Sequence, residues 1–364
     1  MSTSHATVNA SATPEHNGLL GLVANPASGK DLRRLVARAS VFDNQEKQAI
    51  VRRVLAGAAA SGVRAVAYLD DAHGINRGAV AEYPELTASA LEVEITGTAL
   101  DTISAARALQ ELNANVSIIL GGDGTSRAFC LGWETPTILP LSTGTNNVFP
   151  VLMEATVAGS AAGLLACGRV DHAASTHVSK VIRVQIDGEH DDLALIDAVL
   201  TSDRFVGTRA LLHADRLREI LLTRADPAAV GMTSIGGLLD PVSPTTEQGL
   251  RIWLGAGGAN LHAPIAPGLY QDLNVIDHQR CAMDTTVEWH GPGVIALDGE
   301  RERYLAPGQS ARLHLQCNGP RVIDVGTVMQ QAALNRSYTT SSATQATNHA
   351  TKMYATQASQ ETGT

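Results

Sequence analysis

The residues best suited to chemistry lie in the run Ile118-Ile119-Leu120-Gly121-Gly122-Asp123-Gly124-Thr125, where an apolar strand empties into a glycine-rich turn holding one acid. Gly121, Gly122 and Gly124 let a ligand approach the main chain without a Cβ in the way. Residues 125–131 can begin a helix whose free N–H groups and positive dipole end face the turn, so phosphate is its natural occupant. Asp123 is the odd member. An acid beside a phosphate repels it unless the acid binds Mg²⁺ or accepts a proton from an attacking hydroxyl, and both roles belong to phosphoryl transfer. The plainer reading is that Asp123 closes the turn or caps the helix after it.

A second turn weighs against the plainer reading. The apolar run 137–141 ends in Ser142-Thr143-Gly144-Thr145-Asn146-Asn147, so two successive strand-to-helix turns would line one crevice. Gly144 and Thr145 suit a phosphate. Asn146 and Asn147 can orient ribose or phosphate oxygens, or cap the helix expected over 148–167. A third loop, Asn25-Pro26-Ala27-Ser28-Gly29-Lys30, follows the first expected strand at 19–24. It fails the P-loop rule twice, with Ala24 where the first glycine belongs and Asp31 after the lysine, so alone it reads as an ordinary turn before a helix from Leu32. Leu297-Asp298-Gly299-Glu300 reads as an Asp-Gly hairpin turn, in which Glu300 matters only if the turn faces the crevice.

The elements that must hold these turns alternate. Strands are expected at 63–69, 91–95 and 116–120, helices at 45–60, 75–82 and 99–112, the pattern of a parallel sheet with helices on its faces. Ligands in such sheets bind at the carboxyl ends of the strands. Beyond Arg169 come short strand-like runs at 178–186, 193–201, 250–254, 259–265, 273–276, 285–289, 294–297 and 311–316, with one clear helix at 209–223. The expectation is an α/β nucleotide-binding domain over 18–172, a mainly antiparallel β-sandwich over 173–322, and a helix at 323–335 that returns to the first domain. Residues 1–17 and 336–364 are polar and poor in apolar residues, and read as disordered tails.

Composition narrows the function classes. The chain has 364 residues, 44% hydrophobic and 17% charged, enough to bury large cores, and a net charge of −9 argues against a nucleic-acid surface or an anionic membrane. Its four cysteines form no C-x-x-C pair and read as free thiols of a reducing compartment. With neither a signal peptide nor an integral membrane segment visible, a cytoplasmic protein is expected.

The ordered set N-P-A-S-G-K, G-G-D-G-T, T-G-T-N-N and L-D-G-E resembles the superfamily of NAD kinases and diacylglycerol/sphingoid lipid kinases, and across residues 18–335 it is most similar to the ATP-NAD kinase-like family of acetoin-catabolism protein X type. The resemblance implies ATP and Mg²⁺ as cofactors, Asp123 as the essential acid and metal-binding residue, and Gly121, Gly122, Gly124 and Thr125 around the phosphates. Asn25, Ser28, Gly29, Gly144, Thr145, Asn146 and Asn147 would fall in the nucleotide site, and Glu300 would be a candidate general base. NAD kinases carry an Asn-Glu or Asn-Asp pair for the dinucleotide. The nearest match here is Ile196-Asp197, which keeps the acid and loses the amide. Asp197 is thus a candidate substrate-binding residue.

The function expected is transfer of the γ-phosphoryl group of ATP to a hydroxyl of NAD or a related small acceptor, linked to acetoin catabolism. A lipid kinase and a non-catalytic ATP- or NAD-binding accessory protein are the alternatives. Relatives of this type commonly self-associate, which implies a homo-oligomer.

Overall fold

The computed structural model describes residues 18–29, 43–144, 147–202 and 214–339. Leu19–Ala24 (β1), Ala65–Tyr68 (β2), Thr87–Ala90 (β3), Val116–Gly121 (β4) and Thr137–Ser142 (β5) lie in the spatial order β3-β2-β1-β4-β5, all parallel. β1 and β4 are apolar and buried almost without interruption, as strands covered on both faces must be. The covering helices are Asn44–Ala60 (α1), Ile75–Val80 (α2), Ala99–Glu111 (α3), Asp123–Gly132 (α4) and Ala155–Ala166 (α5). Side chains of α1, α2 and α5 fill one face of the sheet and those of α3 and α4 the other.

α1 and α5 cross closely because their contact positions lack side chains. A Cβ on Gly57 would lie 2.0 Å from the Thr156 carbonyl oxygen, and one on Gly159 2.0 Å from that of Val54. Two segments from far along the chain complete this sheet. Arg321–Ile323 (β17) pairs parallel with β5, Thr176–Val178 (β6) pairs antiparallel with β17, and Val325–Leu334 (α7) buries Val328 and Ala332 in the core shared with α5.

The remaining strands form two antiparallel sheets. One runs β12-β11-β10-β9-β14-β15, from Leu269–Ala282, Gln248–Ala266, Leu217–Leu222, Asp197–Thr201, Gly293–Leu297 and Glu300–Leu305. The other runs β13-β16-β7-β8, from Thr286–His290, Ser310–Gln316, Val181–Ile186 and Asp192–Ala194. They sandwich a core that includes Ile182, Val184, Leu200, Leu221, Trp289, Ile295, Leu313 and Leu315. The six-stranded sheet's other face packs on Met232–Leu239 (α6).

Several expected elements differ. The strand expected at 91–95 is β3 at Thr87–Ala90. The helix expected over 148–167 begins only at Ala155, where the Glu154 carboxylate accepts the Val157 N–H. Before it, Val151 forms a parallel bridge to Leu141, so the chain is extended where its apolar content favoured a helix. The helix expected at 209–223 is overturned over its second half: residues 214–216 are one 3-10 turn and Leu217–Leu222 is the strand β10. Residues 209–213 lie outside the described residues. Leu, Arg and Glu favour helix as single residues, but this stretch is wedged between β9 and β11, where ladder pairing and two-sided burial override propensity. The three short runs between 250 and 276 belong to one long hairpin, β11 and β12, with register shifts near Leu254 and Ala259.

Candidate active site

The three loops expected to touch phosphates leave the carboxyl ends of β1, β4 and β5, which are adjacent, and hydrogen bonds knit them together. The Asn25 N–H donates to the Leu120 carbonyl (3.0 Å) and its Nδ2 to Thr125 Oγ1 (2.8 Å), tying the first loop to the glycine turn. The Thr143 N–H donates to the Gly121 carbonyl (3.2 Å) and its hydroxyl to Ser28 Oγ (3.0 Å). Asn147 Nδ2 donates to Ser142 Oγ (2.8 Å), which holds the second turn closed on itself. Gly29 has φ +71°, a left-handed conformation that ends the first loop, and Gly144 accepts the Ser142 hydroxyl (2.6 Å). Thr145 and Asn146 lie outside the described residues.

Lys47 lies on the first turn of α1, a position that the helix pattern alone does not single out. It is fully buried, and its Nζ donates to the carbonyls of Asn25 (3.1 Å), Pro26 (2.9 Å) and Ser28 (2.7 Å). A lysine at an interior position of an apolar helix face was the available signal, because a buried ammonium needs acceptors.

Asp123 is the first residue of α4, and the N-cap position belongs to Gly122, which offers no side chain. The acid therefore does not cap its own helix. Its carboxylate reaches across the crevice and accepts the N–H of Val148 (3.0 and 3.2 Å) and of Phe149 (2.8 Å). These two donors fix the carboxylate's orientation and keep residues 148–149 from continuing a helix.

The glycines form a cradle that side chains would fill. A Cβ on Gly121 would lie 2.5 Å from Thr125 Oγ1, and one on Gly122 2.8 Å from Asn147 Oδ1. On Gly124 it would lie 2.9 Å from a Glu300 carboxylate oxygen. The hairpin turn between β14 and β15 thus does face the crevice, with exposed Glu300 against the glycine turn. Asp298 and Gly299 both take positive φ, 48° and 82°, as a two-residue hairpin turn requires.

Asp298 has a second job that the turn reading missed. Its buried carboxylate accepts the N–H groups of Leu195 (2.9 Å), Ile196 (2.8 Å) and Asp197 (3.2 Å), closing the break between β8 and β9. Burial pushes this carboxyl up to about 7, with the Asp123 charge adding to the rise and the backbone donors and Arg127 opposing it. Asp197 is itself buried at the start of β9, its carbonyl accepting the Asp298 N–H (3.0 Å), and Ile196 is fully buried.

Two arginines also lie outside the sequence reading. Arg127 of α4 donates from Nε to the Leu193 carbonyl (2.6 Å) and pairs with Asp192 (2.6 Å), which also pairs with Arg303 (3.1 Å). This buried group joins the helix after the glycine turn to the antiparallel layers. Arg224 lies two residues past the end of β10, with its guanidinium 5.5 Å from the Phe149 ring centroid. Burial pushes its pKa down, and the charges of Asp123, Asp298 and Asp226 support the cation against that burial.

Among the described residues no cluster of three or more His, Cys, Asp or Glu could hold a metal ion, and no helix is long and apolar enough to cross a membrane.

The site thus combines a parallel sheet with glycine-rich turns at its carboxyl edge and an antiparallel β layer that presents a D-G-E turn to them. Residues 180–318 match the family described as acetoin catabolism protein X C-terminal domain. Over 348 residues the chain is 37% identical to acetoin catabolism protein X of Cupriavidus necator, covering 89% of this chain and 94% of that one. The chain belongs to the acetoin catabolism protein X family. Similar solved structures include yeast NADH kinase complexed with NADH, at 11% identity and a TM-score of 0.49, covering 86% of each chain. A putative diacylglycerol kinase from Bacillus anthracis str. Sterne is similar at 13% identity and a TM-score of 0.47, covering 84% of this chain and 97% of that one.

Proposed function

We propose that the protein is an ATP- and Mg²⁺-dependent kinase that transfers the γ-phosphoryl group to a hydroxyl of NAD or a related small acceptor. The observation that carries this reading is the single hydrogen-bonded crevice in which Asp123 is held by two backbone donors and Glu300 stands against Gly124. The donor set fits a nucleotide: a Cβ-free cradle, a helix N-terminus at Gly122, and the hydroxyls and amides of Asn25, Ser28, Thr125, Gly144 and Asn147. It fits Mg²⁺ as well, because that ion is usually held by one or two carboxylates together with substrate phosphates and water.

When bound, Mg·ATP supplies the phosphoryl group and its charge neutralisation. The chain's own residues do the rest. Gly121, Gly122 and Gly124 let the phosphates meet the backbone N–H groups of α4. Asp123, fixed by Val148 and Phe149, presents a charged oxygen of set direction to the metal. Glu300, at the mouth of the crevice, takes the acceptor's hydroxyl proton, and Asp197 helps to shape the acceptor side. Holding donor and acceptor in line is the main contribution a protein can make to a loose phosphoryl transfer.

The test is a screen of NAD, NADH, small polyols and diacylglycerol with γ-labelled ATP and Mg²⁺. Asp123→Asn is expected to lower label transfer by 100-fold or more while the protein stays folded by circular dichroism. Full activity in that variant overturns the assignment of Asp123, and no transfer to any acceptor leaves a nucleotide-binding accessory protein. A second reading is favoured by exposed Val151, Leu152 and Met153 beside the second turn: a membrane-borne hydroxyl as acceptor. Co-sedimentation with phosphatidylglycerol vesicles, and label appearing in lipid, would select it.

A further inference from the structure

Among the described residues Arg224 makes no hydrogen bond and no ion pair, and its Nε is buried without a partner. A guanidinium carries five donors in a planar fork that matches phosphate oxygens, and burying one of them unpaired costs stability unless something else satisfies it. Its surroundings show where that partner would sit. The guanidinium lies over the Phe149 ring, and the Phe149 N–H donates to Asp123 Oδ1 (2.8 Å), so Arg224 and the acid of the glycine turn flank one aromatic residue. The neighbouring Thr223 is fixed, its hydroxyl donating to the Leu195 carbonyl (2.7 Å) and its N–H to that of Ile196 (2.9 Å). The arginine thus projects from a rigid strand end. Burial lowers the pKa of both His177 and Lys180, Lys180 to about 8, and the nearby Arg224 charge adds to the fall of each.

We propose that Arg224 is the phosphate-binding cation of this crevice, its fork donating to an anionic phosphoryl oxygen placed beside Asp123. This deepens the kinase reading and rests on it for the source of the phosphate, which is either the terminal group of ATP or a phosphate carried by the acceptor. The binding chemistry is the same in both cases. Asp123 and Arg224 divide the work: the acid faces the metal, and the arginine faces the charge on the phosphoryl oxygens. Residue-by-residue sequence reading could not find Arg224, because in the sequence it is one basic residue after an apolar run.

The test is calorimetric binding of inorganic phosphate, ADP and ATP, each with Mg²⁺, to the full chain and to Arg224→Gln and Arg224→Lys, with thermal melts to show that the variants are folded. Arg224→Gln is expected to weaken phosphate or ATP at least 10-fold. Arg224→Lys should fall between, since an ammonium keeps the charge and loses the fork. ATP weakened with ADP unchanged identifies the terminal phosphoryl as the anion. Phosphate weakened with ATP unchanged identifies a phosphate on the acceptor. Binding of phosphate and ATP by Arg224→Gln as tight as by the unaltered protein overturns the proposal, as does failure of the unaltered protein to bind either. These readouts need no turnover, so an inactive protein that binds phosphate through Arg224 would sink the kinase reading and leave this one standing.

Discussion

The acids of the crevice are distinguished by what holds them. Asp123 has two backbone donors and a neighbouring arginine, whereas Asp298 has three donors and deep burial. For Asp298 burial wins, and the carboxyl sits well above its usual range. A group whose folded pKa is raised contributes stability that is fully present below the unfolded pKa and is lost as pH rises through the folded one. The window for Asp298 therefore runs from about 4 to about 7. Asp298→Asn should cost stability at pH 4.5, and that deficit relative to the unaltered protein should shrink by pH 7.5. Urea midpoints at the two pH values measure it, and a deficit that grows with pH would show that the backbone donors dominate instead. Gly124→Ala tests the neighbouring acid. The added methyl meets the far end of an exposed glutamate, so the melting temperature should hold or rise slightly. Label transfer should drop about 10-fold if Glu300 is the base. Unchanged transfer would place the base elsewhere.

At the scale of elements, α1 and α5 are locked by absent side chains. The contacts of Gly57 and Gly159 are to backbone oxygen, which cannot swing away as a side-chain tip can. Gly57→Ala must push the two helices apart, and overpacking of this kind costs about 1–3 kcal/mol. Chemical denaturation of the variant measures it, with the same change at exposed Gly188, where a Cβ meets no heavy atom within 4 Å, as a control for the close approach, though not for that residue's positive φ. The same helices show how far element reading from sequence goes. In the structure Asp43, Thr98 and Asp324 cap the helices that follow them, each side chain accepting a backbone N–H. α5 starts later than its apolar run suggests because Pro150 disfavours the helical region for Phe149 and the Asp123 carboxylate, 25 residues away in the chain from Val148, takes the N–H groups of Val148 and Phe149.

For the whole molecule, the joint between the layers is the Arg127, Asp192 and Arg303 group. Removing one member of a buried ion pair leaves an uncompensated charge and costs about 3–5 kcal/mol. Asp192→Ala should therefore lower the unfolding midpoint strongly. It should also reduce ATP binding more than Gly57→Ala does, because Arg127 is on the helix whose N-terminus forms the glycine turn. Equal binding losses in the two variants would mean that the joint serves stability alone.

Local chemistry was legible in the residues themselves. Glycines flanking an acid at a strand end, alternating strands and helices, and a second turn one strand later all depend on near neighbours in the chain, so the sequence determined the parallel sheet, its crevice edge and the candidacy of Asp123. Contacts between distant segments were not legible. The placement of Glu300 against Gly124, the clamp from Asp123 to Val148 and Phe149, the burial of Lys47, the strand at 217–222 and the position of Arg224 were decided by tertiary packing. Each depends on which distant groups a segment meets and how much water is excluded around it, and neither quantity is encoded in any short stretch of residues.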